Sequence, residues 1–141
     1  MSEKDKLKDL AQASFEGDLD LVRSLVEAGA NVDEMGRNWN PLHASIEGMQ
    51  TEVLRYLLAS GADKEYMCSG MRPLHHAIDI EIDAATQEND SEYPEPKLTE
   101  ILIDSGANIN GEDSEGITPM QMAKRRGHKE AEKLLQSKSA T

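Results

Sequence analysis

The chain has 141 residues, about the size of one ordinary domain and long enough to bury a core without disulfides or a structural metal. Lys and Arg number 15 against 27 Asp and Glu, a formal net charge of -12, and aromatic residues make up 4%. That balance argues against nucleic acid or an anionic membrane as the main partner, since both need a basic footprint, and points to a protein with a basic surface.

In chain order, Met1 to Asp9 alternates Lys with acids and has no apolar stretch, so no secretory signal is expected. A first unit, at about 7–33, carries Leu21, Val22, Leu25 and Val26 at helical intervals and ends its second helix at Gly29. A second, at about 34–65, opens on Asn40-Pro41-Leu42-His43, continues with Val53, Leu54, Leu57 and Leu58, and closes at Gly61. The third, at about 66–110, opens on Arg72-Pro73-Leu74-His75, carries Leu98, Ile101 and Leu102, and closes at Gly106. Leu42 to Gly61 is 19 residues but Leu74 to Gly106 is 32, so the third unit holds 13 extra. The tract 79–96 contains seven acids, among them Asp79, Glu81 and Asp83, and no Lys or Arg. Its two prolines predict that the first helix runs on before a polar loop returns. The last unit, at about 111–141, opens on Thr118-Pro119 and ends with Ala131, Leu134 and Leu135 on one narrow apolar face. Such a face suits a terminal cap of stacked repeats.

Proline at the first position of a helix costs no intrahelical hydrogen bond, Asn40 and Thr118 are good N-caps, and Gly is favoured at a left-handed C-cap. Leu25-Val26-Glu27-Ala28-Gly29-Ala30-Asn31 returns at 57–63 and at 102–108, and the prolines recur 32 and 46 residues apart. These interleaved landmarks resemble the ankyrin repeat, a turn and two helices with a T-P-L-H-x-A signature, from Leu7 to the end. The resemblance implies an all-α ankyrin-repeat solenoid of four helix-turn-helix units with β-turn fingers, a 13-residue insertion in the third unit, and one domain over 1–141. It also implies a structural role for His43, His75 and His128, and a function in protein-protein interaction.

Catalysis needs a convergent set of titratable groups, and no phosphate loop or nucleophile elbow is present. No cofactor and no metal are expected; His76 with Asp79 and Asp83 is the one arrangement that would suggest a metal or a small enzyme. The lone Cys68 forms no internal disulfide and is expected at an exposed turn. No apolar run is long enough to cross a membrane, and a cytoplasmic chain, monomeric when free, is expected.

The candidate site is a surface. Trp39, Met71 and Ile117 share one position before the first helix of successive units; Met35 and Met67 also coincide, and Tyr66 is adjacent. The resemblance places this column on the projecting fingers, where large apolar groups suit a binding hot spot. The resemblance implies that the family's variable positions, on the exposed side of the first helices, correspond to Phe15 and Glu16, Glu47 and Gly48, Asp79 and Ile80, then Arg125 and Arg126. With Glu81 and Asp83 the acids form a steering surface for a basic partner. The sharpest reading is a stoichiometric inhibitor or immunity-type protein that masks a basic toxin or nuclease, since small stand-alone bacterial proteins of the resembled family include such inhibitors. A cytoplasmic adaptor or assembly factor is the alternative.

Overall fold

A computed structural model describes residues 8–88 and 94–139. Eight helices stand among them, in four consecutive pairs: α1 (Leu10–Glu16) with α2 (Leu19–Glu27), α3 (Pro41–Glu47) with α4 (Thr51–Ala59), α5 (Pro73–Glu88) with α6 (Lys97–Asp104), and α7 (Pro119–Arg126) with α8 (Lys129–Ser139). No strand is present among the described residues; one isolated bridge joins Cys68 and Met71.

Local chemistry starts and stops most of these helices. Asp9, Asp18, Asn40 and Thr118 each accept a hydrogen bond from the backbone N–H three residues on, removing one orphan donor at the helix start. Thr118 adds the reciprocal bond from its own N–H to the Gln121 side chain, closing a capping box. Gly29, Gly61 and Gly106 follow the second helices at φ of 100°, 93° and 92°. A side chain there would pay the left-handed penalty that Gly escapes.

The chain divides into two compact units, Met1–Asp63 and Lys64–Thr141. In the first, α1 packs on α3, α2 on α4, and each helix on its own partner. Leu42, Ile46, Leu54 and Leu57 are fully enclosed there, while Leu25 and Val26 on α2 are only half-buried. In the second unit α5 packs on α7 and α6 on α8, around Leu74, Ile78, Leu98 and Leu102. Helix α5 has 16 residues where α1 and α3 have seven. The tract expected to form a polar loop after it falls partly at 89–93, outside the described residues.

The turns between pairs are tied by their own polar groups. Asp33 accepts the Asp63 N–H at 2.8 Å within the first unit, and Glu65 accepts the Asn108 N–H at 2.8 Å within the second. Each acid stands two residues past the Asn or Asp that follows the closing Gly, so one stitch is repeated. His75 Nε2 donates to the Ile117 carbonyl at 2.7 Å, and the Ser114 N–H donates to the Gly70 carbonyl at 3.0 Å, fastening the last two turns together.

Helix α6 lacks a cap of its own, because Pro96 precedes it and makes no side-chain cap bond. Glu81, one helix upstream, supplies it: its carboxylate accepts the Leu98 and Thr99 N–H groups at 2.9 and 3.2 Å and the Thr99 hydroxyl at 2.6 Å. The other Glu81 contact is His128 Nε2, at 2.9 Å. His128 Nδ1 accepts the Ala131 N–H at 3.2 Å, which leaves the proton on Nε2 to donate to the carboxylate. One buried His–Glu pair thus caps α6 and α8 together. No helix among the described residues is long and apolar enough to cross a membrane.

Candidate protein-docking surface

Phe15 lies in the last turn of helix α1 and is 43% exposed, an unusual position for the chain's one phenylalanine. The second repeat fixes the backbone around it: Gln50 Nε2 donates to the Phe15 carbonyl at 3.2 Å. Phe15 and Trp39, the latter on the turn before α3, both line a cleft of about 650 Å³. The Trp39 ring lies over the imidazole of His43, centroids 5.9 Å apart and planes 12° from parallel. His43 is fully buried, so the indole rests on a fixed platform.

The turn that carries Trp39 sits hard against α1. The Gly36 N–H donates to the Trp39 carbonyl at 2.9 Å, and a Cβ on Gly36 would stand 2.6 Å from that of Ala11. Only a residue without a side chain allows this approach. Ala11 and Ala44 add methyl groups to the lining, and Gln12 and Asn38 add amides.

Charge in the cleft is mostly internally matched. Lys8 pairs with Glu16 at 2.7 Å, and Asp9 accepts the Gln12 N–H at 2.7 Å as the cap of α1. Arg37 lines the same cleft, is exposed, and forms no ion pair or hydrogen bond among the described residues.

The structure treats the expected site residues unequally. Trp39 and Phe15 come together in the first unit, and Met35 projects from the same turn at 46% exposure. Glu47 is half-buried on α3. In the second unit Met67 is 41% exposed, while Tyr66 and Met71 are half-buried. Ile117 corrects the expectation of an exposed column, because it is 9% exposed beneath the turn that His75 fastens. Glu81 is likewise corrected from a steering group to an interior cap, at 2% exposure.

Asp79 and Asp83 also serve within the fold. Arg126 reaches both, with Nε 3.0 Å from Asp79 and Nη2 bonded to Asp83. The tract that carries no Lys or Arg of its own therefore borrows a cation from α7. His76 is 2% exposed, so the proposed open-side metal arrangement with Asp79 and Asp83 is not formed. Burial holds its imidazole well below the usual range, at about 4. No group of three or more His, Cys, Asp or Glu side chains placed to hold a metal occurs among the described residues. Cys68 is buried at 4%, contrary to the exposed turn expected, because its N–H and C=O both pair with Met71 at 3.0 and 2.9 Å and draw it inward.

The sequence marks Phe15 and Trp39 separately and does not bring them to one cleft. Gly36 was the missed signal: a glycine three residues before the Trp permits the close approach.

Helix pairs joined by stitched turns, with an aromatic cleft at the first turn, define a helical-repeat scaffold. A family model described as ankyrin repeats, in three copies, matches residues 10–87, more than half of the chain, and the chain belongs to that family. Relatives include a Mus musculus protein named ankyrin repeat, SAM and basic leucine zipper domain-containing protein 1, 29% identical over 126 residues, which are 89% of this chain and 25% of that protein. Ankyrin repeat domain-containing protein 40 of Homo sapiens is 35% identical over 69 residues, 48% of this chain and 19% of that protein. Protein phosphatase 1 regulatory subunit 27 of Homo sapiens is 37% identical over 59 residues, 40% of this chain and 37% of that protein. The chain thus matches well under half the length of each. Ankyrin repeats bind protein partners, and the family is in general non-catalytic.

Proposed function

We propose that this chain is a non-catalytic docking module that seats a segment of a protein partner in the cleft between Phe15 and Trp39. The observation that carries the reading is the cleft itself: Phe15 and Trp39 both line a cleft of about 650 Å³, and Trp39 is stacked on a buried imidazole and carried by a turn that Gly36 packs against α1. Aromatic side chains in a preformed pocket supply area at little entropic cost, which is the property of a binding hot spot.

The finer reading is a stoichiometric inhibitor or regulator of a partner enzyme with a basic surface. Its support is the net charge of -12 and a relative that is by name a regulatory subunit of a phosphatase. The acidic strip no longer supports it, since Glu16, Asp79 and Asp83 are paired and Glu81 is interior. What remains is the total charge, which acts at long range on the rate of arrival.

Capture from native lysate followed by calorimetry tests the docking reading. Phe15→Ala is the variant of choice because Phe15 is exposed and its loss spares the core. It should weaken the recovered partner by about tenfold or more; unchanged affinity removes the cleft from the interface. For the charged partner, association should slow as salt rises while dissociation holds nearly constant, and a salt-independent association rate excludes steering.

A further inference from the structure

The chemistry of the cleft specifies its occupant more narrowly than the docking reading on which this inference rests. We infer that the cleft takes a polypeptide segment presenting an apolar anchor beside a carboxylate. The anchor follows from the apolar part of the lining. Phe15, Trp39, Ala11 and Ala44 offer rings and methyl groups, and a cleft of about 650 Å³ has room for a Phe or Leu side chain. The carboxylate follows from the charges that the fold leaves unmatched. Lys8 is held by Glu16, and Asp9 is committed to the first turn of α1. Arg37 alone among the charged groups of the lining has no partner within the described residues.

A guanidinium in the lining of a cleft that also holds two aromatic rings is a directional donor. Its planar fork donates two parallel hydrogen bonds to a carboxylate, a geometry that no ammonium or amide reproduces. Position strengthens the assignment: Arg37 stands two residues before Trp39 on the turn that Gly36 anchors to α1, so anchor wall and donor are carried by one short tied segment. The local demand for an acid is distinct from the negative charge of the whole chain. The total charge acts before contact, and Arg37 acts at contact.

The test uses the full chain and three synthetic peptides of equal length, blocked at both ends. They share a central Phe flanked on both sides by Asp, by Ser or by Lys. Trp39 is the chain's one Trp, so its emission reports occupancy directly. The Asp peptide should bind about fivefold more tightly than the Ser peptide, and the Lys peptide should be weakest. Arg37→Ala should erase the preference for Asp over Ser, and Phe15→Ala should weaken all three. Equal binding of the Asp and Ser peptides, tighter binding of the Lys peptide, or a preference that survives Arg37→Ala each overturns the carboxylate assignment. In those cases, loss of binding in Phe15→Ala still supports the docking reading. Absence of a saturable Trp39 response to all three peptides overturns the occupant assignment, while partner capture with its Phe15→Ala control continues to judge the docking reading.

Discussion

At the scale of single residues, Glu81 shows how composition misleads. It stands in a tract of seven acids and reads as one more solvated charge, yet it is an interior group with four polar contacts. The sequence does contain part of the answer, since Glu81 lies three residues past the buried Ile78 on the inward side of α5. Its partners could not be read, because His128 is 47 residues away and Leu98 is 17. Removing the carboxylate leaves two helix-start N–H groups and the His128 donor facing the interior. Glu81→Ala should therefore cost about 2–5 kcal/mol, read as the midpoint shift in urea unfolding. Asp83→Ala, removing half of a partly exposed pair, should cost under about 1 kcal/mol. Similar costs for the two would reduce Glu81 to an ordinary surface acid.

At the scale of elements, helix starts and stops were the most legible features. Pro41, Pro73 and Pro119 each begin a helix, and Gly29, Gly61 and Gly106 each follow one, as local chemistry requires. The turns were less legible, because what holds them is contact between residues far apart in the chain. Gly36 is the clearest instance: the sequence marks a turn, but only the packing shows that the turn touches Ala11. Gly36→Ala places a methyl 2.6 Å from the Ala11 Cβ. Overpacking of this kind costs about 1–3 kcal/mol, and the strain should be relieved by displacement of the Trp39 turn. The expected result is a lower midpoint of thermal unfolding together with a shifted Trp39 emission. A lower midpoint with unchanged emission would place the strain elsewhere.

At the scale of the whole molecule, the buried histidines give stability a direction with pH. His76 is enclosed and its imidazole is held at about 4 by burial, below the ordinary 6.5. His75 is also lowered, by burial against the opposing Ile117 hydrogen bond. The unfolded chain takes up protons near pH 6.5 that the folded chain refuses until the pH is lower. Stability is therefore full above that range and falls on acidification, with the His76 contribution reaching about 3 kcal/mol near pH 4. The unfolding midpoint should drop between pH 7 and pH 5, and His76→Leu should flatten that dependence. An equal drop in the variant would assign the effect to other groups. The charge of -12 looked from composition like a surface property. The structure divides it into interior caps, internal pairs and a solvated remainder, a division that requires knowing which helices meet.

The shared cap of α6 and α8 has a consequence for how the second unit comes apart. Repeat proteins ordinarily fray from an end, one unit at a time, because each unit touches only its neighbours. Here unwinding the start of α8 would withdraw the His128 donor from the Glu81 carboxylate that caps α6, so opening one helix start removes a buried bond from the other. The terminal repeat is thereby denied a cheap partial opening, and the last two repeats melt as one cooperative block.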